Sequence, residues 1–142
     1  MKLTASRKTI PCWIELSQAA DERGILTSIE SGLDIPFETK RVFFISDVSG
    51  DRGNHAHRYT NQVLISVAGR FTVDVSTGGA MTSYEMNSRA RALFLPSMTW
   101  ARLYGFSPDA VCLVLADTPY AESAYIRDWD EFAREAREKQ SP

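Results

Sequence analysis

The chain has 142 residues, 44% of them hydrophobic and 24% charged, with a formal net charge of -2. That length suits one domain around one core, and the near-neutral charge gives no electrostatic reason to expect nucleic acid or a membrane surface as partner. No apolar run approaches the roughly 18 to 20 residues of a bilayer span, the start MKLTASRKTIPCW lacks the apolar stretch of a secretory leader, and Cys12 and Cys112, without metal-like spacing, suit the reduced thiols of a cytoplasmic protein.

Residues 9–16 (TIPCWIEL) are expected as the first strand, 17–24 (SQAADERG) as a polar turn, 25–30 as a second short strand and 32–36 as a break. Residues 40–46 (KRVFFIS) are β-branched and aromatic, which favours a third strand, and 47–54 form a loop rich in Gly, Asp and Ser. The histidines then open a run that turns apolar and stops at Ala68 and Gly69. Phe71, Val73 and Val75 alternate with Thr72, Asp74 and Ser76, the period of a half-buried strand. A tight turn at Thr77, Gly78 and Gly79 leads to strands at about 81–86, 91–95, 99–106 and 110–116. The last is nearly all apolar, as for a strand buried on both faces. Residues 125–139 depart from this pattern. Ile126, Trp129, Phe132, Ala133 and Ala136 form a helical stripe, and Asp128 and Glu131 have the spacing of a capping box. The whole predicts one all-β domain over 1–142: a compact antiparallel sandwich or barrel over about 9–118, a C-terminal helix over about 125–139, and a site in the barrel's mouth.

The chain's only histidines, His55 and His57, stand one residue apart, with Arg52 just before them and Gln62 five residues after the second. On an extended strand both imidazoles face one side. Such a pair suits a metal site, an acid/base site or a merely structural role. A jelly roll with His-x-His on an early strand resembles the cupins, whose metal-binding members add a Glu after the pair and a His in a second motif that opens with Pro. Here Gln62 stands at the Glu position, and Pro96 is followed by Met98 and Ala101 where the Gly and His would be. Divalent catalytic sites normally use three or more protein ligands, so no metal is expected. An acid/base role needs only the two imidazoles, each titrating near pH 6.5 when unperturbed.

KRVFFI (40–45), RGNHAH (52–57), QVLISVAG (62–69) and YIRDWDEF (125–132), with the turn DERGIL, PSMTW, FSPDAVCLVLAD and the Tyr120-x-Glu122 pair, resemble the cupin-fold nucleotide-sugar 3,4-ketoisomerases over about 13–132. The resemblance implies an RmlC-like jelly roll and a tautomerisation without metal or other cofactor. The substrate would be dTDP-4-keto-6-deoxyglucose, whose carbonyl moves from C4 to C3 through an enediol, on the way to amino sugars of surface glycans or natural products. It implies a homodimer with exchanged strands. It assigns the proton transfers to His55 and His57, and substrate or diphosphate contacts to Arg23, Arg41 and Arg52. Gln62 joins them as a candidate pocket residue, as does Trp100, which otherwise serves with Trp13 and Trp129 as a core or interface anchor. Two departures stand out. Phe43 replaces a tyrosine common in relatives, and Ala101 with Arg102 replaces a His-Glu pair, so Phe43 is a candidate determinant of substrate choice, and so is Arg102 if it faces inward; facing outward, Arg102 is a solvated strand residue. The alternatives are the same chemistry on another nucleotide-linked 4-keto sugar, a non-catalytic nucleotide-sugar-binding cupin that assists a partner enzyme, and a metal cupin such as a dioxygenase.

Overall fold

The structure, a computed structural model, describes residues 9–140. Residues 1–8, on which the expectation about a leader falls, and 141–142 lie outside the described residues. Two five-stranded sheets face each other. The first runs in the order β1 (Cys12–Glu15), β9 (Arg91–Leu95), β6 (Gln62–Ala68), β11 (Val111–Ala116), β4 (Arg41–Ser46). The second runs β12 (Tyr125–Ile126), β5 (Arg52–His57), β10 (Trp100–Tyr104), β7 (Phe71–Ser76), β8 (Thr82–Met86). A separate hairpin joins β2 (Ser17–Asp21) to β3 (Gly24–Ser28), and one helix, α1 (Trp129–Gln140), follows. All the ladders between these strands are antiparallel. The expected jelly roll is thus a pair of facing sheets, not one continuously hydrogen-bonded barrel.

The period-two pattern does what it should. Phe71, Val73 and Val75 enter the space between the sheets with Leu64, Leu93, Leu103 and Val114, while Thr72 and Asp74 stay partly exposed. The first sheet also buries its outer face, where Val63, Ile65, Phe94 and Leu115 pack against Ile14, Ile35 and Phe37. That explains why β6 and β11 read as nearly continuous apolar runs. The second sheet is covered by α1: Phe132 and Ala136 pack on Ala56, Trp100 and Ile126.

Three expectations change. Residues 17–21 are a strand, not a turn. β2 is exposed throughout and β3 almost so, so no burial alternation marks β2, and its ladder to β3 comes from backbone pairing. The histidine run is two strands in different sheets. A turn at Arg58 to Asn61 divides them, fixed where the Asn61 amide groups donate to Asp117 (2.8 and 2.7 Å) and Asn61 accepts from the Ser97 amide (2.9 Å). The helix begins at Trp129 rather than 125. Asp128 caps it by accepting from the Glu131 amide at 2.8 Å, and Tyr125 and Ile126 pair instead with His57 and Ala56. Ile126 is therefore a core residue of the sheet, and its fit to the helical stripe arises because strand and helix bury against the same apolar layer.

Candidate active site

The sheets diverge around a cavity of about 700 Å³. Its floor is β5. That strand opens on a bulge: Ala101 pairs with His55 but Arg102 with Gly53, leaving Asn54 as the extra residue. Gly53 has φ +81° and Asn54 φ 61°, conformations open to Gly and tolerated by Asn. A Cβ on Gly53 would also lie 2.8 Å from the Ala101 carbonyl oxygen. The Gly-Asn pair thus makes the bend that delivers His55 and His57 to the cavity.

Both histidines line it, with ring centroids 5.0 Å apart. Burial lowers the pKa of each. For His55 the Gly53 carbonyl opposes that fall, although Nδ1 is buried without a well-formed hydrogen bond. Arg127 and Arg52 add to the lowering and Glu122 works against it. For His57 burial acts first, then the His55 ring, Arg41 and Arg127, and the pKa falls to about 4. At neutral pH these are two uncharged imidazoles with cations nearby, a state suited to accepting protons.

Arg41, Phe43, Arg52 and Gln62 also line the cavity. The Arg41 guanidinium stacks between two rings, 4.4 Å from Phe43 and 5.0 Å from Tyr120. Phe44, next to Phe43, turns its ring outward. Neither Arg41 nor Arg52 forms an ion pair among the described residues, so each keeps its charge for an anionic ligand.

Three candidate pocket residues lie elsewhere, Trp100 in the core and Arg102 outward as their alternative readings have it. Trp100 faces away from the cavity, buried against Trp129 and Phe132. Arg102 also points out, ion-paired with Asp51 at 2.8 Å and lying over Tyr104. Alternation along β10 sends Ala101 and Leu103 inward instead. Arg23 sits exposed at the tip of the β2–β3 hairpin, held by Asp21 at 2.6 Å, and does not reach this chain's cavity.

Two residues were missed. Tyr125 pairs with His57 across the β12–β5 ladder, and its ring centroid lies 4.3 Å from that of His57 and 4.8 Å from that of His55. Arg127 lines the cavity on the same side, its guanidinium 4.8 Å from the Tyr125 ring and its outer edge bound to Glu122 at 2.8 Å. Reading 125–139 as one helix hid both. An alternating Tyr-x-Arg just before the Asp128 cap was the available signal. Among the described residues no group of three or more His, Cys, Asp or Glu side chains is placed to hold a metal, and no helix is long and apolar enough to cross a membrane.

Comparison with known proteins adds to this geometry. The family description "FdtA: WxcM-like, C-terminal" matches residues 10–137. A TDP-4-oxo-6-deoxy-alpha-D-glucose-3,4-oxoisomerase from Aneurinibacillus thermoaerophilus is 37% identical over 123 residues, covering 85% of this chain and 88% of the relative. The structure of QdtA, a sugar 3,4-ketoisomerase from Thermoanaerobacterium thermosaccharolyticum in complex with TDP, superposes with a TM-score of 0.89 at 33% identity, over 92% of this chain and 97% of that one. WlaRB, a TDP-quinovose 3,4-ketoisomerase from Campylobacter jejuni, matches with a TM-score of 0.84 at 35% identity, over 87% and 97% of the two chains.

Proposed function

The chain belongs to the FdtA, WxcM-like C-terminal family, and we propose from that membership and from its cavity that it is a sugar 3,4-ketoisomerase acting on TDP-4-keto-6-deoxy-D-glucose. The observation that carries the mechanism is the pair of neutral imidazoles on one floor, 5.0 Å apart, flanked by arginines. The C3 proton of a 4-keto sugar becomes acidic when the C4 carbonyl is polarised. One of the two histidines accepts it, an enediol forms, and the pair returns a proton to C4, giving a 3-keto-6-deoxyhexose. Both transfers run over one face of the sugar and use protein side chains alone. Arg41 and Arg52, with uncommitted charge, hold the diphosphate, and Gln62 and Phe43 border the hexose.

The working unit in this proposal is a homodimer. Its support is apolar surface where a lone chain gains nothing from it: Ile25 is 65% exposed on the β2–β3 hairpin, and Phe44 is 68% exposed on the edge strand β4. Exchange of such strands places Arg23 of one subunit at the cavity of the other, which gives that residue a role its position in one chain does not. The cytoplasmic setting rests on two thiols, Cys12 and Cys112, that remain unbridged.

The test is incubation with TDP-4-keto-6-deoxyglucose in heavy water, with the product captured by a 3-aminotransferase and examined by NMR. A 3-keto product carrying ring deuterium is the expected result. Tight TDP-sugar binding without product identifies a binding module instead. A parallel UDP-linked substrate addresses the second reading, the same chemistry on another nucleotide sugar, which the changed lining at Phe43 and Ala101 favours.

A further inference from the structure

We propose that the Tyr125 hydroxyl carries the oxygen-bound proton of the isomerisation from O3 to O4, while the histidine pair carries the carbon-bound one. This rests on the isomerase function above and deepens it. Moving a carbonyl from C4 to C3 relocates two hydrogens: one from C3 to C4 and one from O3 to O4. The first needs a base that becomes an acid. The second needs a group that both donates and accepts between vicinal oxygens, which a hydroxyl does.

The cavity supplies few candidates. Its lining hydroxyls among the described residues are those of Ser46, Thr60, Thr99 and Tyr125. Ser46 lies on the exposed side of β4 with Phe44. The Thr60 hydroxyl is bonded to that of Thr118 at 2.6 Å. The Thr99 hydroxyl is buried out of reach. Position 43, on the opposite sheet, contributes a phenyl ring with no oxygen. Tyr125 remains, and its hydroxyl makes no hydrogen bond among the described residues. Its ring touches both imidazoles, and the Arg127 guanidinium lies over that ring, 4.8 Å from its centroid.

The steps balance. A histidine takes the proton from C3, the C–H electron pair forms the C3–C4 double bond, and the carbonyl π pair goes to O4, which takes the Tyr125 proton. The intermediate is a neutral enediol beside an imidazolium and a phenolate. The phenolate then takes the O3 proton, the C3 carbonyl forms, and the alkene pair takes the imidazolium proton at C4. Both side chains return to their starting states.

The decisive variants are Tyr125→Phe, which keeps the ring against both imidazoles, and 3,5-difluorotyrosine at 125, a stronger acid of nearly the same shape. The expected results are a kcat about 10²-fold or more below wild type for Tyr125→Phe, with TDP-sugar affinity unchanged, and an alkaline limb of kcat moved to lower pH for the fluorinated protein. Wild-type kcat in Tyr125→Phe, or an unmoved limb in the fluorinated enzyme, overturns the assignment while leaving the isomerase standing. Should Tyr125→Phe fail to fold, the position of that limb decides alone. A wild-type protein that forms no 3-keto product removes both the function and this step, and is recognised by silence before any substitution.

Discussion

β5 and β10 have two faces that follow opposite rules. Behind them, Ala56, Trp100, Ile126 and Phe132 form an apolar layer under α1, with Ala56 and Phe132 completely buried. In front stand His55, His57 and Ala101, with polar atoms left unsatisfied beside an open cavity. The back face gains stability from packing. The front face gives some of it up, because burial disfavours charge on two imidazoles that would be charged at lower cost in water. The lesson is that a strained polar front needs a rigid back. Arg58 links the two, donating to Glu135 (3.1 and 2.9 Å) and Glu131 (2.8 Å) on the helix and to the Ser123 carbonyl at 3.2 Å just before β12.

If the faces divide labour in this way, substitutions in front change rate and those behind change stability. The largest effect belongs to His57→Asn, expected to lower kcat by about 10²–10⁴-fold with TDP-sugar affinity retained. Steady-state kinetics and calorimetric titration check it, and equal loss of both would break the division. The same variant has a pH consequence. The folded-state pKa of His57 lies near 4, below the ordinary 6.5, so between these values the unfolded chain binds more protons than the folded one. Stability present above pH 6.5 is lost as pH falls toward 4. Denaturant melts across that window should show a shallower loss in His57→Asn than in wild type.

Next comes Phe132→Ala, behind the sheet. Removing a fully buried phenylalanine from the α1 interface should cost about 3–5 kcal/mol. Urea melts measure it, and kcat at a temperature where the variant is folded should stay far closer to wild type than that of His57→Asn. Gly53→Ala joins the faces. It forces a methyl group against the Ala101 carbonyl at a positive φ, at a cost of about 1–3 kcal/mol. Because the bulge aims His55, the loss should appear in both stability and kcat. A variant that changes neither would show that the bulge is not what positions the ring.

How much of this the sequence disclosed follows the same division. Strands with one buried face, such as β7, alternate and are found from pattern alone. The His-x-His pair declares its common side through the period of a strand. The exposed β2 has no such alternation and reads as a turn. Tyr125 and Arg127 escaped because Ile126, between them, packs into the layer that also buries Phe132 and Ala136, so a strand position satisfied a helical period. Arg102 and Trp100 were placed beside the pocket by their neighbourhood in the chain. Their actual side depends on register at β10, including a bulge with β5 that lies in the partner strand and not in their own sequence.

The smallest expected effect tests that last point. Arg102 bonds Asp51 at 2.9 Å through Nε and lies 3.8 Å from Asp74, with its side chain 39% exposed. An ion pair this accessible is worth no more than about 1 kcal/mol, and the residue makes no contribution to the cavity lining. Arg102→Ala should therefore leave kcat and KM within about twofold of wild type, the spread usual for surface changes of about 0.5 kcal/mol. A large rise in KM alone would place the guanidinium against substrate and extend the working face of β10 beyond Ala101 and Leu103. An unchanged KM confines recognition to the inward side, where Arg41 and Arg52 form no ion pair among the described residues.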